Sequence, residues 1–236
     1  MADRKLLYLS GLLLGGGFIL ISVLAVLHAS SGDLNNHPAE FAQYAQSKPW
    51  TTVHLGFFVV FSAVIAGLLV LFYALKLQGG IAEFVVQVGS LFAGVALALT
   101  AVRYAVDGVT LKRAVDAWAS APDSEKAARF ASAEAIRWLE EAISSYQSFA
   151  LGVALILLAA LIVWTGRVPK PVGYILGLSG VAYLVLGWIN GTAGFASQGA
   201  IPAMLGQFCW LVSGVWLLIA AWRMPQSSGA VIEPSA

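Results

Sequence analysis

VHLGFFVVFSAVIAGLLVLFYAL (Val53–Leu75) decides the fold: 23 residues carry no Asp, Glu, Lys or Arg, and no proline interrupts them. At 1.5 Å per residue such a run makes a helix of about 35 Å, enough to cross the roughly 30 Å hydrocarbon layer of a bilayer. Five more apolar runs of comparable length follow the same logic: Leu6–Leu27, Phe84–Val106, Phe149–Thr165, Val172–Ile189 and Pro202–Trp222. Over the 236 residues, 59% are apolar and 11% charged, against about 25% charged in a soluble globular protein. Charge this sparse cannot cover a water-soluble surface, whereas a membrane solvent accounts for both the composition and the run lengths. The expected fold class is therefore all-α, a polytopic membrane protein of six transmembrane helices, with an extra amphipathic helical segment between spans three and four.

The boundaries follow from helix chemistry. Asp3-Arg4-Lys5 precedes the first span, whose 22 apolar residues exceed the 7–15 of a secretory signal, so it reads as a retained anchor. The second span closes at Lys76 and the turn Gly79-Gly80. The fourth ends at Gly166, ahead of Pro169 and Pro171, which cannot continue a helix. Asn190-Gly191 ends the fifth, and Pro202 suits the first turn of the sixth. Residues 1–224 thus read as one transmembrane domain. The Ser/Gly/Pro-rich tail 225–236 reads as disordered. A lone Cys209 inside the last span excludes an internal disulfide, and the absence of a basic tract argues against a nucleic-acid partner.

Lysine and arginine placement suggests orientation. With the amino terminus in the cytoplasm, Arg4, Lys5, Lys76, Arg167, Lys170 and Arg223 all fall in short cytoplasmic segments, in line with the positive-inside rule. The opposite side holds Lys48, Arg103, Lys112, Arg113, Lys126, Arg129 and Arg137, interleaved with acidic residues. The bias nearest the first span favours a multi-pass cell-membrane protein with both termini cytoplasmic. Trp50, Trp164, Trp188 and Trp222 near span ends fit an aromatic belt. Gly11-x-x-x-Gly15 and Gly173-x-x-x-Gly177 have the spacing that lets helix backbones approach closely, chiefly inside the bundle. No threefold-plus-threefold repeat of the transporter type is found.

The stretch 110–146 is the least generic part. Ser120-Ala-Pro-Asp123 reads as a helix start with Ser120 as cap. No breaker follows before Tyr146, and Phe130, Ala133 and Ile136 share a face, so this helix is expected to run on into span four. Leu111, Val115 and Trp118 form a second apolar stripe. It suits either an interfacial helix on the headgroups or a short helix packed over the bundle end. This stretch is also where a protein partner could dock.

The residues that could carry chemistry gather at the outer rim. His28 ends span one, His37 lies in the first loop of about 25 residues, and His54 opens span two. Asp107 follows span three at the same depth, Arg103 lies one turn below it, and Glu134, Glu140 and Glu141 approach that level. The candidate polar cluster is His28, His54, Arg103, Asp107, Glu134, Arg137 and Glu141. Three readings compete. Arg103 can pair with Asp107, and Arg137 with Glu134 or Glu141, simply tying helix ends together. His28 and His54 with a carboxylate can hold a metal ion, though no HExxH, HxH or ExxH pattern supports it. A bis-histidine haem is rarer still. Finally, the carboxylates can bind a solute or handle protons. Deeper in, Glu83, Gln87, Gln147, Ser148 and Gln207 can line a cavity or simply bond helix to helix. Nucleotide and serine-hydrolase motifs are absent, so no cofactor is expected. Asn190-Gly191-Thr192 matches a glycosylation acceptor at chance level.

Leu7-Tyr8-Leu9 with Gly11, then Val53-His54-Leu55-Gly56-Phe57, then Val168-Pro-Lys-Pro-Val-Gly173-Tyr-Ile-Leu-Gly177 running through Gly180 to Tyr183 resembles a family of bacterial six-span membrane proteins of unknown function. The likeness in layout covers about 1–222, and the segment from Asp107 to Glu141 departs from it by its charge. The resemblance implies a bacterial cytoplasmic-membrane protein and carries over no functional residue. The function expected is non-enzymatic binding or transport of a small molecule, lipid or ion through a cavity opening outward. An accessory subunit of a membrane complex and a membrane-embedded metal or haem enzyme stand as alternatives.

Overall fold

A computed structural model describes residues 2–28, 30, 32–75 and 77–224. Lys76 and the tail 225–236, expected to be disordered, lie outside the described residues. Among those described there is no strand. Six helices are long and apolar enough to cross a membrane: α1 (Arg4–Leu27), α3 (Trp50–Ala74), α4 (Gly80–Ala105), α6 (Asp123–Thr165), α7 (Lys170–Ala193) and α8 (Ala200–Arg223). The helix α2 (His37–Gln46) lies between α1 and α3, and α5 (Lys112–Ala119) lies between α4 and α6.

The six long helices close into a ring. Each packs on two neighbours, in the order α1, α3, α4, α6, α7, α8 and back to α1. Small residues set two close crossings. Gly214 of α8 faces Gly11 and Gly15 of α1 so tightly that a Cβ at 214 would stand 2.6 Å from the Gly15 nitrogen. Gly152 of α6 meets Gly180 of α7, where an added Cβ on either would stand 2.9 Å from the other's carbonyl oxygen. The glycines of the sequence therefore pack the bundle against itself, because lipid gives apolar helices no hydrophobic reason to associate and close backbone contact must supply it. Ser10 Oγ donates to the Gly67 carbonyl (2.9 Å) and Ser179 Oγ to that of Gly206 (2.9 Å), adding hydrogen bonds between helices. Leu14, Leu68, Leu155 and Trp210 are fully buried in the ring interior.

Helix ends obey local chemistry. Asp3 accepts from the Lys5 and Leu6 amides at the start of α1, satisfying two of the donors that any helix start leaves open. Gly166 ends α6 with φ 62°, the left-handed cap that favours glycine. The expected cap at Ser120 does not form. Its hydroxyl donates back to the Asp116 carbonyl (2.8 Å), and Pro122 takes the position before α6. Span four is no separate helix: α6 runs 43 residues without a break, about 65 Å at 1.5 Å per residue and twice what a bilayer needs.

The surplus length of α6 builds a cap over one end of the ring. Phe41 and Tyr44 of α2, Trp50, Leu111, Val115 of α5 and Ala133 of α6 form a second buried core there. The Leu111–Val115–Trp118 stripe thus turns inward against protein, not outward onto headgroups. The first loop contains the helix α2: Asn36 caps it through the Ala39 amide (3.4 Å) and Pro38 sits in its first turn. Trp164, Trp188 and Trp222 are exposed as a belt requires, but Trp50 is buried in the cap core.

Candidate functional site

The junction between α4 and α5 is what creates the site. Val106–Leu111 winds as a π-helix, a wider turn that is uncommon and frequent at functional positions. The looser winding leaves backbone carbonyls for side chains to satisfy. Trp50 Nε1 donates to the Asp107 carbonyl (3.1 Å) and Thr51 Oγ1 to the Gly108 carbonyl (2.9 Å), locking the first turn of α3 onto this stretch. Gly108 is forced by the fit: a Cβ there would lie 2.6 Å from the Cβ of His54.

This docking sets Asp107 against His54. His54 Nε2 lies 2.9 Å from Asp107 Oδ2 and both groups are buried. The other ring nitrogen, Nδ1, is 2.7 Å from the Trp50 carbonyl oxygen. A carbonyl only accepts, so Nδ1 carries the proton. The His28 ring, just past α1, has its centroid 5.0 Å from that of His54 and 5.0 Å from that of Trp50. Burial, then the neighbouring His54, push the His28 imidazole down to about 4, so it is neutral near pH 7. One ligand atom from each of His28, His54 and Asp107 falls within 4.8 Å of the others.

The remaining charged candidates form a second group, in which Arg137 meets Glu141 as expected while the other pairings differ. Arg103 does not pair with Asp107, which His54 has taken. Arg103 Nε instead lies 3.7 Å from Glu140 Oε1. Arg137 Nη1 donates to Glu140 Oε2 (2.8 Å), while its Nε is 3.8 Å from Glu141 Oε1. Glu140 thus stands between two guanidiniums, a position that no i,i+4 rule along one helix predicts. Phe195 covers both arginines, with its ring centroid 4.5 Å from the Arg137 guanidinium and 5.6 Å from that of Arg103, a contact favoured by the ring quadrupole. Glu134 goes elsewhere, to His37 Nδ1 at 2.9 Å, and so pins α2 to α6.

His28, His54 and Asp107, with Arg103 from the second group, border one cavity of about 510 Å³ at the cap end of the ring. All six long helices contribute to it. His28, Arg103, Asp107, Asn190 and Gln207 are on its walls, with Phe57, Phe61, Leu151, Tyr183 and Leu186 beside them. Tyr183 stacks on Trp210 (centroids 5.3 Å apart), and Trp210 meets Phe61 edge-on (6.0 Å), closing an aromatic cluster on the side toward the bundle interior. Gln147 also borders the cavity and donates to Thr100 Oγ1 (2.7 Å). Asn190 donates to Ser144 Oγ (3.1 Å) and is buried, so the glycosylation match is not an accessible acceptor. Glu83 and Gln87 stay at the opposite end of α4, bonded to each other and to the Gly79 amide, away from this space.

Sequence reasoning found the depth at which His28, His54 and Asp107 meet, but missed Trp50, Tyr104, Asn190 and Phe195 as parts of the same place. For Trp50 a signal existed: it stands four residues before His54, one helical turn away. For Phe195 none did. No protein-family model matches the chain, and no curated protein or solved structure matches it either.

Proposed function

We propose that the chain is a cell-membrane protein, both termini cytoplasmic, whose outward-opening cavity binds a small amphipathic molecule without transforming it. The observation that carries this reading is the cavity itself. At about 510 Å³ it falls within the 300–1,000 Å³ typical of sites for small molecules, and such sites combine apolar walls with a few fixed polar groups. Here the polar groups converge from four helices: Arg103, Gln147, Asn190 and Gln207. Phe57, Phe61, Leu151 and Leu186 offer an apolar surface beside them. Among the described charged groups Arg103 meets only Glu140, at 3.7 Å, and its buried Nε has no hydrogen-bond partner. It is thus a ready donor for a polar head. The resemblance to bacterial six-span proteins and the lysine and arginine bias at the first span support the placement in the cell membrane.

The test is ligand-dependent thermal stability of the purified chain against a panel of lipids and small amphiphiles, in wild type and in Ala203→Trp, which places an indole on the cavity wall. A saturable rise in Tm in the wild type and its loss in A203W is the result expected. A panel that raises neither Tm, or raises both equally, overturns the reading.

A further inference from the structure

We propose that His28, His54 and Asp107 form a binding site for a divalent first-row transition ion of the zinc type on the wall of this cavity. The inference does not rest on the amphiphile reading. Its first support is convergence. The three residues come from the end of α1, the start of α3 and the π-helical stretch after α4, yet one ligand atom from each lies within 4.8 Å of the others.

The second support is an unmet bonding requirement. His54 Nε2 is buried, carries the free lone pair because the ring proton sits on Nδ1 and is donated in a hydrogen bond to the Trp50 carbonyl, and makes no hydrogen bond itself. Asp107 Oδ2 stands 2.9 Å away but off the ring nitrogen's axis, and Asp107 Oδ1 is likewise buried without a partner. A simple ion pair would place the oxygen on that axis. Two atoms bound to one ion at about 2.1 Å each sit about 3.0 Å apart at a right angle and about 3.4 Å apart in a tetrahedral shell, with the oxygen about 35–45° off the nitrogen's axis. A shared ion gives the His54 Nε2 lone pair a partner and engages the Asp107 carboxylate, whose Oδ2 stands near the spacing from Nε2 that the ion would impose.

The third support is the surrounding shell. Metal-binding histidines donate their second N–H to a carbonyl or carboxylate, which fixes the ring. His54 does so to Trp50, and Trp50 in turn holds the Asp107 backbone. His28 completes the set by a small inward swing, because atoms on one ion lie at most about 4.2 Å apart. It is half-buried on extended backbone just past α1, where such a swing needs no helix to move. Two imidazoles and one carboxylate suit zinc, ferrous iron or manganese and not calcium or magnesium.

The experiment uses the full chain in detergent, stripped with chelator and titrated with Zn²⁺ by calorimetry, with Co²⁺ absorption as a second readout. Saturation at one ion per chain is expected. His28→Gln and Asp107→Asn should each weaken binding by more than about 100-fold, beyond the 10–100-fold that loss of an outer-shell group costs. His37→Gln, whose ring belongs to the Glu134 contact, should leave it unchanged. His28 is half-buried at a helix end, so its variant stays folded and keeps the test decisive. Absence of saturable binding, or binding unaffected by His28→Gln, overturns the site. A203W is expected to keep Zn²⁺ while losing amphiphile, so failure of the metal site and failure of the cavity reading are told apart.

Discussion

His54 presents its two ring nitrogens to two different partners: Nδ1 to the carbonyl of Trp50, 2.7 Å away on the same helix, and Nε2 to Asp107 Oδ2, 2.9 Å away in the stretch that follows α4. The first contact fixes the ring and its proton. The second depends on the π-helical stretch that swings Asp107 inward, which Trp50 also holds through its indole nitrogen. One tryptophan therefore controls both halves of the pair.

Trp50→Phe keeps most of the ring's packing and removes the Nε1 donor. The Asp107 carbonyl then sits buried without its partner, at a cost of about 1–3 kcal/mol. Chemical unfolding of the variant in detergent should show that loss. A stability equal to wild type would mean that α4 closes its own hydrogen bonds there.

Gly214→Ala tests the ring closure. A methyl at 214 meets backbone atoms of α1, at 2.6 Å from the Gly15 nitrogen and 2.8 Å from the Gly11 carbonyl oxygen. Backbone yields less readily than a side-chain tip, so α1 and α8 must separate. A loss of about 1–3 kcal/mol is expected, read as a lower Tm. Gly16→Ala, where a Cβ meets nothing within 4 Å, is the matched control and should leave Tm unchanged or raise it.

The residues that the sequence made legible are those whose position follows from distance along one helix. Val53–Leu75 announces a span by length and composition alone. His28, His54 and Asp107 could be placed at one depth by counting from span ends, and the structure brings them together. What could not be read is lateral: which helix faces which, and at what rotation. Arg103 and Asp107 are one turn apart on paper, yet the π-helical winding rotates Asp107 toward His54 and leaves Arg103 to Glu140. Counting in steps of 3.6 residues cannot anticipate that winding. The helix α2 was legible in part, since Asn36 followed by Pro38 is a start signal, but a ten-residue helix of mixed polarity gives a weak pattern beside apolar runs of about twenty.

The buried ion group gives a prediction of coupling. Arg137→Met leaves Glu140 with the 3.7 Å contact to Arg103 and Glu141 with His37 Nε2 at 3.9 Å. Breaking such a buried pair costs about 3–5 kcal/mol, because an uncompensated charge is left behind. Adding Glu140→Gln to Arg137→Met should recover part of that loss. A double-mutant cycle by thermal unfolding should therefore show coupling of about 0.5–3 kcal/mol. Additive effects would contradict the network.

The proposed function requires that the cavity at the cap end of the ring opens to the outer solvent. Cysteine accessibility tests it directly. Ala203 lies on the cavity wall, Leu217 is fully buried in the ring, and the native Cys209 is buried. In intact cells a small membrane-impermeant thiol reagent should modify Ala203→Cys and leave Leu217→Cys and the native chain unmodified. Ala203→Cys that stays unmodified in intact cells, or reacts only after permeabilisation, would contradict an outward-opening chamber.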